Sequence, residues 1–218
     1  MRCRVFMAEE EAAVYTRVMS QATGHELIGS TARDYGDTGI DFRNLIWVAL
    51  AIVVLIVAIR ADNPWALNFL HVMCGVLWTG IDLFMGFVVG PIMRRLPFEA
   101  RRALVLRLMP KTLFLMPTLA IVTGTAGWYH AQQLGFLQMP WPAYGWVLAA
   151  LIIVAILTVQ GLGLLLPANL LVYLEMRKPK PDLPRIGRLM RRYVYAVAFQ
   201  GVLQVAIIVV MAKFVTGL

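Results

Sequence analysis

Long apolar runs broken by short polar links set the pattern of the chain after residue 42. The first run, "RNLIWVALAIVVLIVAIRA", covers 43–61. The others cover roughly 65–93, 111–134, 143–175 and 193–216. A helix rises 1.5 Å per residue, so about 20 apolar residues cross the hydrocarbon core of a bilayer. Runs two and four exceed that length, which predicts tilt or extension past the membrane. The pattern predicts an all-α polytopic integral membrane protein with five transmembrane helices over 43–218. Spans two to five are expected to form a four-helix bundle, with span one packed outside it.

Residues 1–42 follow a different rule. "AEEEAAVYTRVMSQA" has helix formers with acidic residues near its start, which suits a short surface helix. "GSTARDYGDTG" then reads as loop. This stretch lacks the apolar content for a core of its own and is expected to be a cytoplasmic N-terminal extension, with His25 on its surface. Its start shows no apolar segment before a small-residue cleavage site, so no signal peptide is expected.

Charge orients the spans. The link between spans two and three, "RRLPFEARRALVLRLMPK", and the link between four and five, "RKPKPDLPRIGRLMRR", hold most of the Lys and Arg outside the extension. The links "ADNPW" and "QQLGFLQMPWPAYG" hold none. Cytoplasmic loops carry the positive excess, so both basic links are expected inside, the N-terminus inside and the C-terminus outside. Trp65, Trp128, Tyr129, Trp141, Tyr144 and Trp146 then gather at the outer boundary, as an interfacial aromatic belt does. The location this implies is a membrane with the basic links on its cytoplasmic side.

Composition agrees with the membrane class: 60% of the residues are hydrophobic and 15% charged. The formal net charge of +8 would suggest nucleic acid in a soluble protein. Here the basic residues lie between apolar runs without interleaved aromatics, so no nucleic-acid partner is expected. Cys3 lies in the polar extension and Cys74 inside a span, an arrangement that predicts no disulfide framework. The sequence has no P-loop, dinucleotide fingerprint, GxSxG, HExxH or paired-Cys motif. No internal repeat stands out.

Candidate chemistry lies inside the spans. "NFLHVMCGVLWTGIDLFMG" (68–86) is nearly all apolar yet holds His71, Cys74 and Asp82. At 100° per residue, His71 and Asp82 point within about 20° of each other. Trp78 shares this stripe, and Gly75, Gly86 and Gly90 lie near it, so the stripe is expected to face the bundle interior. Span three runs the opposite way and ends "VTGTAGWYHAQQ". Counted from the basic edge, His71 and His130 reach depths within about 6 Å of each other. Thr123, Gly127 and His130 share a face, with small residues beside the histidine.

Two histidines on facing helices, a glycine-lined slot and nearby aromatics are what a haem b needs: imidazole at the iron and an apolar groove for its ring. His71 and His130 are thus the candidate metal ligands, and Gly75, Trp78 and Gly127 the candidate cofactor-binding residues. The alternative has His71 bonded to a carbonyl and His130 as an interfacial residue beside Trp128 and Tyr129. Copper is the second metal option, with His71 and Cys74 as donors and Met73 and Met85 as soft neighbours. Asp82 is the candidate catalytic group, as a proton relay or a substrate contact. Its alternative is a protonated carboxyl tying helices together, with Thr79, Thr123, Gln160, Gln200 and Gln204 as possible partners. Gln160, Gln200 and Gln204 themselves read as interhelical hydrogen bonding.

The run "LHVMCGVLWTGIDLFMGFVVGPIMRRL", a basic loop and then "VTGTAGW" resemble a group of bacterial membrane proteins. These share a histidine in the outer part of a helix followed by a (V/I)xxGxxWxG pattern. The group includes CopD-type copper-resistance proteins, the membrane part of cytochrome-linked urate hydroxylases, and HemJ-type protoporphyrinogen oxidases. The matching residues are His71, Gly75, Trp78, Gly80, Gly124 and Gly127, in spans two and three. The resemblance implies a helical-bundle membrane protein, often haem-linked, with His71 as a ligand. Neither urate nor porphyrin oxidation carries over with it.

The leading expectation is a b-type haem protein with an electron-transfer or oxidase-type role near the outer face. A redox protein or a quinone is its expected partner, and a homo-oligomer or a subunit of a membrane complex its expected assembly. The competing class is a non-enzymatic transport, assembly or interaction subunit whose polar residues only hold helices together, with copper handling third.

Overall fold

The chain after its extension folds into helices joined by tight turns. The computed structural model describes residues 42–217, and the expected extension at 1–42 lies almost wholly outside them. In chain order the helices are α1 (Asn44–Arg60), α2 (Pro64–Arg95), α3 (Phe98–Gln133), α4 (Tyr144–Arg177) and α5 (Leu183–Val215). A short 3₁₀ turn, Phe136–Gln138, follows α3. No strand occurs among the described residues.

Four of these helices, α2 to α5, are long and apolar enough to cross a membrane. α1 is equally apolar but has 17 residues, about 26 Å at 1.5 Å per residue. In the most apolar windows of α2 to α5 only 6% to 28% of the residues are buried inside the protein. Val76, Phe87, Val159 and Val202, among others, point outward with more than half their surface uncovered. Water does not tolerate so much contiguous apolar surface, whereas lipid does.

Local sequence places the breaks. Asp62 sits in the left-handed region (φ 47°), which an acidic or amide side chain tolerates better than most, and it reverses the chain after α1. Asn63 caps α2, its Oδ1 accepting from Trp65 N–H at 3.0 Å and Ala66 N–H at 3.2 Å, with Pro64 in the first turn. Asp182 caps α5 by accepting from Arg185 N–H at 3.0 Å.

Both basic links turn out shorter than expected. α3 begins at Phe98, not near 111, and α5 at Leu183, not near 193. Most of each link is helix, because Glu, Arg and Leu favour it and the Asp-Leu-Pro start of α5 is a capping signal. α3 passes through Pro110 and Pro117, where Thr112 and Thr118 hydroxyls donate to the Met109 and Phe114 carbonyls at 3.1 and 2.7 Å.

α2 packs along α3, the C-terminal half of α4 packs on α3, α5 packs on α4, and α5 returns to touch α2. α1 lies against α3 and α2. There Leu55 and Ala58 join Leu67, Val122 and Ala126 in one buried cluster. A second cluster holds Trp78, Leu119 and Leu157 at the centre.

The two basic links share one end of the molecule. Arg102 of α3 donates to the Met176 and Lys178 carbonyls at 2.9 and 2.8 Å, capping the C-terminus of α4. Glu175, 4% exposed, accepts from Lys178 Nζ at 2.8 Å and Asp182 N–H at 3.2 Å, with Arg185 at 3.6 Å. The opposite end carries the aromatic residues. There Gln133 donates to Asp62, tying α3 to the turn before α2, and Phe136 stacks on Phe214 of α5 at 5.1 Å.

Candidate functional site

The stripe on α2 splits between two neighbours. Its N-terminal part, with His71, faces α3, and its C-terminal part, with Asp82, faces α5.

His71 Nδ1 donates to the carbonyl of Thr123 at 2.8 Å. A carbonyl oxygen only accepts, so in the neutral ring the proton sits on Nδ1 and Nε2 is left with its lone pair. Gly127 makes this possible: a Cβ there would come 2.5 Å from His71 Nδ1 and 2.6 Å from Cε1. The small-residue slot on α3 therefore holds the imidazole itself, where a flat cofactor was expected. His130, one turn further along α3, is close enough to His71 for the two to interact electrostatically. Its Nδ1 is buried with no hydrogen-bond partner, as is the Thr123 hydroxyl.

The other candidates fall around this pair. Gly75 faces Thr123, where a Cβ would meet Cγ2 at an ordinary 3.4 Å. Cys74 packs against both buried clusters. Trp78 is buried against Leu119 and Leu157, with its indole directed toward Asp82. Met73 is 45% exposed and points outward beside Trp65, Phe69 and Val72. Among the described residues, no three His, Cys, Asp or Glu side chains form a metal-holding group.

Asp82 Oδ2 accepts two hydrogen bonds from α5: one from Gln200 Nε2, and one from Gln204 Nε2 at 2.7 Å. Both glutamines are buried, at 3% and 1% exposure. Gln160 of α4, also buried, donates to the Ala196 carbonyl one turn before Gln200. Tyr193 lies beside Asn169 and within electrostatic reach of Asp82. The amide oxygens of Gln160, Gln200 and Gln204 are all buried without partners.

One feature went unforeseen. α2 and α4 each contain a π-helical turn next to their polar residue, Met85–Val89 after Asp82 and Gly161–Leu165 after Gln160. Each turn closes with an i→i−5 bond, from Gly90 N–H to Met85 O and from Leu166 N–H to Gly161 O. The signal was a glycine-rich run followed by Pro91 or Pro167, whose missing N–H breaks the helical ladder. Gly86 and Gly90, expected near a face turned to the bundle interior, lie in and next to the first of these turns. Gly86 does meet α5, 3.6 Å from Val197 for an added Cβ.

Comparison with protein-family models, with curated proteins and with solved structures finds no match for the chain.

Proposed function

We propose that the chain is a five-pass membrane protein that holds a b-type haem at His71 and serves an electron-transfer or oxidase-type role near the outer face. A satisfied histidine would make the His71–Thr123 bond too; the observation that carries this reading is the buried, unpartnered Nδ1 of His130 on the same face of α3. Metal-ligating histidines commonly donate their second ring N–H to a carbonyl, which fixes the tautomer and aims the other nitrogen at the metal. The donors suit the group: an Nε2 lone pair on His71, and on His130 a buried nitrogen without a partner.

A haem supplies one-electron chemistry and needs only one or two imidazoles from the protein. His71 is the first ligand and His130 the second. Thr123 holds the His71 ring in register through its backbone, and Gly127 gives that ring room. Gly127 thus acts on the ligand and not on the cofactor.

In the same reading the basic end lies in the cytoplasm of a bacterium and the aromatic end faces out, which places both histidines toward the outer leaflet. The resemblance to CopD-, urate-hydroxylase- and HemJ-type proteins supports the same assignment through His71, Gly75 and Trp78. A quinone or a redox protein is the matching partner class.

The test is haem content. Full-length protein expressed with ample haem supply and purified in detergent is expected to carry haem b in fixed ratio to folded chain. A folded, iron-free preparation that also takes up no added haem would overturn the reading.

A further inference from the structure

The cluster around Asp82 has a composition that helix packing alone does not require. Two fully buried amides spend their N–H groups on one carboxylate oxygen, and each leaves its own oxygen buried without a partner. Gln160 of α4 likewise leaves its oxygen buried without a partner, its N–H going to the Ala196 carbonyl one turn before Gln200. Buried polar atoms are normally satisfied, so orphaned acceptors gathered beside a carboxylate need a cause. Among the described residues no Lys or Arg pairs with Asp82; the recorded salt bridges belong to Glu175.

We propose that Asp82, Gln200 and Gln204 form a binding site for one small monovalent cation, H⁺ or Na⁺. An amide turned about its last bond exchanges its N–H and oxygen in place. The arrangement seen, with two N–H groups on Oδ2, suits the empty, ionised carboxylate. With the amides turned, Gln200 and Gln204 present oxygens beside Asp82, a hard-oxygen set of the kind hard cations take. A proton on Asp82 uses the same change, donating to one amide oxygen. A single carboxylate neutralises a single charge, whereas a divalent ion would leave net charge in a low-dielectric site.

The backbone around the cluster fits the same role. α2 and α4 are both interrupted just beyond Asp82 and Gln160, and both π-turns touch α5. Pro91 and Pro167 remove the helical donors of the Phe87 and Gly163 carbonyls, and interrupted helices at matching positions are how membrane proteins build ion sites. Of the titratable groups on the helices packed around Asp82, Tyr193 of α5 lies within its electrostatic reach.

The experiment uses the full chain in detergent and two probes. Radioactive Na⁺ is measured by equilibrium dialysis, and the C=O stretch of a protonated carboxyl by infrared difference spectroscopy between two pH values. For a Na⁺ site, wild type retains Na⁺ and Asp82→Asn does not. For a proton site, Na⁺ is not retained, and a carboxyl band titrates in wild type and is missing in Asp82→Asn. Gln204→Leu keeps the carboxyl and guards against a misfolded first variant; it is expected to weaken Na⁺ retention or shift the titration. Wild type with neither Na⁺ retention nor a titrating band, or Gln204→Leu identical to wild type in both, overturns the proposal. Haem content is unaffected by either result, so the two readings fail independently.

Discussion

The two ends of the α2 stripe bury polar groups in opposite ways. At the N-terminal end, His71 is satisfied by backbone: its imidazole lies against Gly127 and bonds the Thr123 carbonyl. At the C-terminal end, Asp82 is satisfied by other side chains, the Gln200 and Gln204 amides of α5 and the Trp78 indole of α2. A backbone partner is fixed by the helix, so the His71 ring has one orientation. Amide partners can turn, so the Asp82 cluster has more than one. The contrast separates a rigid site suited to presenting a ligand atom from an adaptable site suited to taking up and losing a charge.

Breaking the Asp82 end should have the largest effect on stability. Asp82→Leu leaves the Gln200 and Gln204 amides buried with no acceptor, at about 1–3 kcal/mol for each unsatisfied group. Equilibrium unfolding of the reconstituted protein by a denaturing detergent measures this. A loss no larger than that of a surface substitution would mean the amides find other partners. The cost should fall sharply in Gln200→Leu/Gln204→Leu/Asp82→Leu, where both sides of the cluster are apolar.

At the His71 end the matching break is Gly127→Ala. The new methyl meets the His71 ring at 2.5 Å and must expel it, at about 1–3 kcal/mol of overpacking. The Thr123 bond is lost with it, so haem content should fall in step with stability. Gly75→Ala sharpens the point from the same interface. Its methyl makes only a 3.4 Å contact, and a change within about 0.5 kcal/mol with normal haem content is expected.

Much of this contrast was legible beforehand. Helix rise and hydropathy located the apolar runs, and the 100° step brought His71 and Asp82 onto one stripe. Matching depth on antiparallel neighbours paired His71 with His130, and Gln200 and Gln204 stood among the possible partners of Asp82. Three things were not legible. The partner of His71 is a carbonyl, which every residue carries, so no side chain in the sequence signals it. Helix crossing, which periodicity does not encode, sends two ends of one stripe to α3 and α5. The starts of α3 and α5 were masked by basic residues that read as loop but favour helix.

Gln160 gives the smallest expected effect and ties the contrast to the α4 break. Gln160→Leu removes a bond to the Ala196 carbonyl, which keeps its own helical donor, so nothing is orphaned. A loss of about 0.6 kcal/mol, the usual scale for an interhelical bond in a membrane, is expected from the same unfolding measurement.

The most direct measurement is the reduced-minus-oxidised visible spectrum of the purified full chain, wild type beside His71→Ala. Wild type is expected to show a Soret band with resolved α and β bands on reduction, and His71→Ala to lose them while remaining folded. An unchanged spectrum in His71→Ala, or a colourless wild type that stays colourless after haem is added, would contradict the assignment of His71.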